Sequence, residues 1–327
     1  MVASRVSSAC ITHVVSQTAD CVSKGYTGSV NRRTFLAVSA GTAVPAKPAP
    51  ARFIKSICSV IFPEGMTPAE KFRAAKNAGF DGIEIRYGNE ITTSMSADEV
   101  KRISDAAHQA GIQIATMWVA GPLLENPINS PDPAVRSRGV ESLRKAIEFA
   151  AYLHSGALLL YPCRLGNGPK FQVGYEDTWK RVTAELKKAV PWAKDSKVIL
   201  TPENVWNKFL VSPLEMRAFV DQFRSPWLQT HFDIGNVMQY GYPQDWILTL
   251  GPRIKRVHVK DYKLSTRSEQ GRFCDLLEGD VDFKEVMAAL VKVRYQGFMS
   301  PEVGHDPKDP DKIRKVSQAL DKILAMA

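Results

Sequence analysis

From residue 52 onward, short apolar runs alternate with longer stretches patterned as helices. Eight runs rich in Ile, Val, Leu and aromatic residues read as strands: 53–62, 82–87, 112–119, 157–161, 198–202, 228–233, 254–259 and 298–303. The stretches between them carry helix-end signals. Thr67-Pro68-Ala69-Glu70 supplies a cap, a first-turn proline and an acid, and Gly79 closes the same helix. Ser96-Ala97-Asp98-Glu99 is a capping box for a helix that runs to Gly111. Further helices are expected near 133–153, 175–194, 212–223, 242–250, 283–293 and 310–326, of which 242–250 is the shortest.

Eight β-then-α units in about 275 residues predict an α/β fold of the (β/α)8 TIM-barrel type. An open doubly wound sheet is the competing arrangement. It usually places a glycine-rich phosphate turn after its first strand, whereas this chain has Pro63-Glu64-Gly65-Met66-Thr67 there. Barrel chemistry sits at the C-terminal ends of strands. Four consecutive strands finish with Glu203, Asp233, His258 and Glu302. Side-chain alternation puts His258 and Lys260 on one face of their strand, with Val257 and Val259 on the other, and puts His231 on the side of Asp233. Three carboxylates at one mouth repel, and a divalent cation removes that repulsion. An oxygen-rich set with one imidazole suits Mn2+ or Mg2+, with Mn2+ the expected ion and Co2+ or Zn2+ as alternatives.

The first 51 residues differ in kind. They are rich in Ser, Thr, Ala and Val and contain one acid, Asp20. Asn31-Arg32-Arg33-Thr34-Phe35-Leu36 precedes an uncharged stretch, and Ala49-Pro50-Ala51 closes the segment. A basic pair, a short apolar run and a small-residue site form the layout of an export signal. It resembles a twin-arginine signal through Arg32, Arg33, Phe35 and Leu36, while Asn31 and Ala37 depart from that pattern. The expected organisation is therefore a leader over 1–51 and one catalytic barrel over 52–327. The expected location is outside the cytoplasm, with a cytoplasmic protein as the alternative.

Charge changes meaning once it is placed. The net charge of +9 and pI of 9.2 invite a nucleic-acid reading. Residues 1–51 hold five of the 43 bases and one of the 34 acids, so 38 bases and 33 acids remain, a net of +5. A mildly basic barrel carries no expectation of a nucleic-acid partner. No apolar run reaches the roughly 18 residues of a membrane span, so no membrane anchor is expected. None of the five cysteines lies in a Cys-x-x-Cys pair, which fits neither a disulfide framework nor a structural zinc site.

Four segments then stand out in order: Pro202-Glu203-Asn204-Val205-Trp206-Asn207, Phe232-Asp233-Ile234-Gly235-Asn236, Val257-His258-Val259-Lys260-Asp261 and Gly279-Asp280-Val281-Asp282-Phe283. Together they resemble the sugar phosphate isomerase/epimerase family of xylose isomerase-like barrels, and within it the L-ribulose/L-xylulose 5-phosphate 3-epimerases, over residues 53–325. The resemblance implies that Glu203, Asp233, His258 and Glu302 bind one divalent metal. It implies that Glu203 and Glu302 also move protons, one on each face of a bound sugar. Asn236 matches a position near the substrate, and Glu84 and Lys260 fall where relatives contact it. His231, two residues before Asp233, and Trp118, at the end of the third strand, are further substrate-contact candidates. The implied activity is isomerisation or epimerisation by proton abstraction beside a carbonyl, through an enediolate. A lyase or hydratase acting on a keto-sugar or inosose is the alternative use of the same site. An abasic-site endonuclease of the related barrel family needs more histidines than the six present, and Asn236 replaces one of its histidine ligands. The expected partner is a small carbohydrate, with a homo-oligomer left open.

Overall fold

The computed structural model describes residues 49–119, 121–167, 170–265 and 271–327. The Arg32-Arg33 segment lies outside the described residues. Eight parallel strands carry the fold: β1 Arg52–Cys58, β2 Gly82–Tyr87, β3 Gln113–Val119, β4 Ala157–Leu160, β5 Ile199–Pro202, β6 Thr230–Asp233, β7 Ile254–Val259 and β8 Gln296–Pro301. They pair in chain order, and β8 pairs with β1. The seam between β5 and β6 closes through Leu200 N–H to Trp227 O (2.9 Å), Gln229 N–H to Leu200 O (2.9 Å) and Thr230 Oγ1 to Pro202 O (3.1 Å). The predicted TIM barrel is the observed fold.

A helix follows each strand: α1 Pro68–Asn77, α2 Ala97–Gln109, α3 Pro133–Tyr152, α4 Tyr175–Asp195, α5 Pro213–Asp221, α6 Pro243–Leu250, α7 Phe283–Lys292 and α8 Lys312–Leu324. The expected capping box at Ser96 forms, and the expected Thr67 cap is one as well: Thr67 and Ser96 each accept from the backbone N–H three residues on (3.3 Å), and Glu70 and Glu99 each reach back to the cap N–H. The first strand is shorter than its apolar run, because the chain turns into a 3-10 turn over Ser59–Ile61. Two short helices, Gly121–Glu125 and Ile234–Val237, and a hairpin of Asp261–Lys263 with Arg272–Cys274 were not expected. Each is too short to impose a period on its sequence.

Alternation along the strands divides the molecule chemically. Ile57, Ile83, Ile85, Met117, Leu158, Leu200, Phe232, Val257 and Met299 belong to the buried apolar core. The other face of the same strands buries Ser56, Glu84, Thr116, Thr201, His231, His258 and Ser300. The barrel centre is thus polar, and such groups need partners. Ser56 and Ser300 bond through their hydroxyls at 2.7 Å, and Thr201 Oγ1 donates to Leu158 O at 3.0 Å.

After β2 the chain folds back and buries Glu90. This carboxylate accepts from Arg86 N–H (3.0 Å), Nε (3.1 Å) and Nη2 (2.9 Å), and from Lys71 Nζ (2.6 Å). The Lys71 and Glu90 side chains are 4% and 2% exposed. Burial pushes the carboxyl up, but Arg86 and Lys71 outweigh it and bring it down to about 2. A depressed folded-state value contributes stability that is complete above the ordinary 4.5, declines below it and is gone once the pH falls through about 2. Glu90→Gln is therefore expected to cost about 3 kcal/mol at neutral pH, with the gap to wild type narrowing as the pH falls below about 4.5. Urea midpoints measured against pH give the answer; a gap unchanged down to about pH 3 would exclude this linkage.

Candidate active site

The four strand-end residues meet at the C-terminal mouth. Asp233 ends β6 and pairs in register with His258 of β7, which pairs in turn with Ser300 of β8. Glu203 and Glu302 are the first residues past β5 and β8. Both remain in the ladder: Glu203 N–H donates to Leu160 O and Glu302 N–H to Val259 O, each at 3.2 Å. One ligand atom from each of Glu203, Asp233, His258 and Glu302 lies within 4.8 Å of the others.

His258 is the centre of this cluster. Its Nδ1 lies 2.9 Å from Glu203 Oε1, 3.0 Å from Glu302 Oε2 and 3.6 Å from Asp233 Oδ2. Its Nε2 points the other way, 2.7 Å from Glu84 Oε2. Burial opposes charge on this ring, yet Glu84, Glu302 and Glu203 outweigh it and hold its pKa well above the usual imidazole range. The ring so charged donates from Nε2 to Glu84 and from Nδ1 to the mouth carboxylates. Lys260, two residues on, lies 2.6 Å from Glu302 Oε2 and 3.0 Å from Asp233 Oδ2. It fits because Gly235 faces it, where a Cβ would stand 2.5 Å from Lys260 Cβ.

These partners separate the two glutamates. Burial raises the Glu203 carboxyl to about 7 despite the attraction of His258. Burial also works to raise Glu302, but Lys260 and His258 reverse it and bring that carboxyl to about 2. Two carboxyls of one cluster are thus pushed in opposite directions by their partners.

The donor set fits a divalent cation. Three carboxylates and an imidazole converge, and Asp233 Oδ2 is buried without a hydrogen bond, meeting Lys260 only as an ion pair. A cation among these atoms would meet His258 through Nδ1, with Glu84 fixing the tautomer by holding Nε2–H.

The other sequence candidates divide into two groups. Asn236 and Trp118 line a cavity of about 490 Å³ at the mouth, with Leu124, Tyr161, Arg164 and Trp206, and Lys260 joins that cavity to the acidic cluster. Asn236 N–H donates to Asp233 Oδ1 (2.7 Å), and Trp206 Nε1 donates to Asn236 O (2.8 Å). Glu84 and His231, expected as substrate contacts, lie among the barrel's buried residues and outside that cavity's lining. Glu84 sits behind His258 and also accepts from Ser300 Oγ (2.9 Å). His231 packs its ring 4.1 Å from that of His258, and burial, with His258, holds its pKa well below the usual range. Both enter the strands below the mouth, at positions that alternation marks as inward but whose depth it does not give. Tyr161 and Leu124 are additions to the sequence candidates. Tyr161 directly follows β4, so the strand-end rule flags it, whereas Leu124 comes from the short Gly121–Glu125 helix.

Comparison with known proteins agrees with this geometry. A family model described as a xylose isomerase-like TIM barrel matches residues 72–323. The L-ribulose-5-phosphate 3-epimerase UlaE of Shigella flexneri serotype 5b is 29% identical over 270 residues, 80% of this chain and 91% of that protein. UlaE of the Crooks strain of Escherichia coli is 27% identical over 268 residues, 80% of this chain and 91% of that protein. Among solved structures, an L-ribulose 3-epimerase superposes with a TM-score of 0.69 at 22% identity, covering 84% of this chain and 95% of that one. The D-psicose 3-epimerase of Clostridium cellulolyticum H10 gives 0.70 at 17% identity, covering 84% and 99%. At these identities the structural matches speak for the fold. The strand order, the strand-end motifs and the length of the family match agree: this chain belongs to the xylose isomerase-like TIM barrel family.

Proposed function

We propose that the chain is a divalent-metal-dependent sugar isomerase, acting as an epimerase on a ketose or ketose phosphate. The observation that carries the reading is the pair Glu203 and Glu302, brought to one cluster from strands three apart, with one carboxyl raised to about 7 and the other lowered to about 2. The relatives named L-ribulose-5-phosphate 3-epimerase support the substrate class.

The steps follow from the side chains. Glu203, Asp233, His258 and Glu302 would hold the cation, which supplies Lewis-acid polarisation of the carbonyl and its neighbouring hydroxyl. Glu302, ionised beside Lys260, takes the proton from the carbon next to the carbonyl and leaves an enediolate. Glu203, on the other face, relays a solvent proton to that carbon while the abstracted proton leaves Glu302 for solvent, and the centre inverts. Return to the adjacent carbon instead gives the aldose–ketose isomer. Trp118, Tyr161 and Trp206 wall the cavity and limit water at the carbanion-like carbon. The proposed setting is extracytoplasmic, supported by the sequence of the 1–51 leader alone. A cellular protein whose N-terminus lies near Arg52 is the expected outcome, and one starting at Met1 would overturn it.

The main test is deuterium wash-in with Mn2+ and a panel of ketoses and ketose 5-phosphates in D2O. The expected result is loss of the C3–H signal with a product of unchanged formula, and Glu203→Gln or Glu302→Gln lowers the rate by about 10²–10⁴-fold. Absence of exchange from every sugar with metal bound would sink the reading, and a product lighter by one water would point to elimination.

Metal binding itself should be pH-dependent. Without metal, Glu203 keeps its proton up to about 7 and His258 keeps its own beyond that. A cation must displace both below 7, so affinity rises steeply with pH there and less steeply above. Calorimetry in buffers of different ionisation enthalpy should count about two protons released at pH 6 and about one at pH 8. An unchanging count would contradict this assignment. Glu84→Gln should weaken Mn2+ affinity by about 10–100-fold without lowering the thermal midpoint of the metal-free protein below that of a Ser300→Ala control.

A further inference from the structure

A second cavity, of about 420 Å³, lies at the opposite end of the barrel, where β3, β4, β7 and β8 begin. Its lining includes Arg256, His108, His154, Ser104, Gln113 and Gly156, and no carboxylate. Arg256 shares the inward face of β7 with His258, two residues earlier, so its side chain spans the barrel floor. Nε donates across the floor to Ala115 O (2.9 Å), Nη1 donates to Lys255 O (2.8 Å), and the guanidinium lies 5.2 Å over the Phe298 ring. These partners are neutral. Among the described residues no carboxylate comes within ion-pair distance of Arg256 or of its neighbour Lys255.

A guanidinium carries five N–H donors, and that of Arg256 is only half-buried, so the donors that the protein leaves unused face the cavity. Here the Nη2 donors have no partner among the described residues, and Nη2 lies 3.5 Å from the position of a Cβ on Gly156, in the cavity wall. Two imidazoles face the same space: His108 from the last turn of α2, and His154, which follows α3 in the left-handed conformation at φ 52°. Asp105 lies in a neighbouring depression that shares Ser104 and His154 with this cavity, where it is accompanied by Lys101. The cavity therefore gathers one strong cation, two protonatable rings, a hydroxyl and an amide, with no anion.

We propose that this basal cavity binds a small oxyanion of the phosphate class, held by Arg256 with His108 and His154. Guanidinium is the side chain best matched to two oxygens of one tetrahedral anion, and the imidazoles supply donors to the rest. The site is separate from the mouth cavity and shares no lining residue with it.

The test is titration of orthophosphate into the full-chain protein, followed by histidine side-chain 1H–15N correlation spectra. His108 and His154 should shift together along one saturable curve. Arg256→Met should weaken that binding by at least about tenfold, and Arg164→Ala at the mouth should leave it unchanged. If Arg256→Met does not fold, the double variant His108→Ala/His154→Ala, which alters two exposed residues, should abolish the phosphate-dependent rise in melting temperature. Acetate in a parallel arm tells a tetrahedral from a planar requirement; equal or tighter binding of acetate would overturn the phosphate class. Shifts that fail to saturate, or binding lost with Arg164→Ala and kept with Arg256→Met, would overturn the site.

Discussion

The imidazole of His258 is gripped from both sides, and the mouth is organised around that grip. Glu84 holds Nε2 from behind at 2.7 Å, while Glu203 and Glu302 face Nδ1 within 3.0 Å. A ring fixed at both nitrogens cannot flip, so one named nitrogen always faces the acidic cluster. The grip is itself anchored, since Glu84 also accepts from Ser300, and Ser300 bonds Ser56. A chain of hydrogen bonds thus ties β7 to β2, β8 and β1, so the strands that close the barrel also aim this buried imidazole. Charged hydrogen bonds of this kind are the stronger ones, and their strength grows where water is excluded.

This arrangement carries a cost that the rest of the fold absorbs. Desolvation opposes charge on His258, Lys260 and Glu302 alike. Breaking one member of such a network typically costs about 3–5 kcal/mol because the remaining charge stays buried. The apolar shell between strands and helices supplies the compensating stability: the outward faces of β2, β3, β4 and β7 bury continuous rows of Ile, Leu, Val and Met. The inward faces are then free to be polar. A parallel barrel therefore separates the residues that hold it together from those that act, on alternate positions of the same strands.

That separation explains which features could be read from the sequence. The eight strands were legible because their outward rows are apolar, and the helices because Thr67, Ser96 and their partner glutamates mark the starts. Glu203, Asp233, His258 and Glu302 were legible because strand ends define a single place in a barrel. Depth was not legible. Glu84 is the third residue of a strand that continues to Tyr87, so it lies one layer below the mouth, and His231 lies below Asp233 for the same reason. Leu124 and Trp206 reach the cavity from a five-residue helix and an irregular loop, and neither has a period to detect. Arg256 could have been found by counting back two residues from His258, but the fold directs attention to the other end of the strand.

The ion pairs of Lys260 with Glu302 and Asp233 have a further consequence for charge bookkeeping. Before any cation arrives, the cluster already contains its own counter-ions, the Lys260 ammonium and the His258 imidazolium, and burial favours the neutral form of Glu203. A divalent cation that displaces the two protons on His258 and Glu203 leaves the total charge of the mouth as it was. Below about pH 7, where Glu203 keeps its proton, loading is an electroneutral exchange; above it a single proton leaves and the mouth gains one positive charge. A mouth that supplies its own counter-charges does not need a cation to offset its carboxylates, in contrast to small domains whose ligands repel until an ion binds.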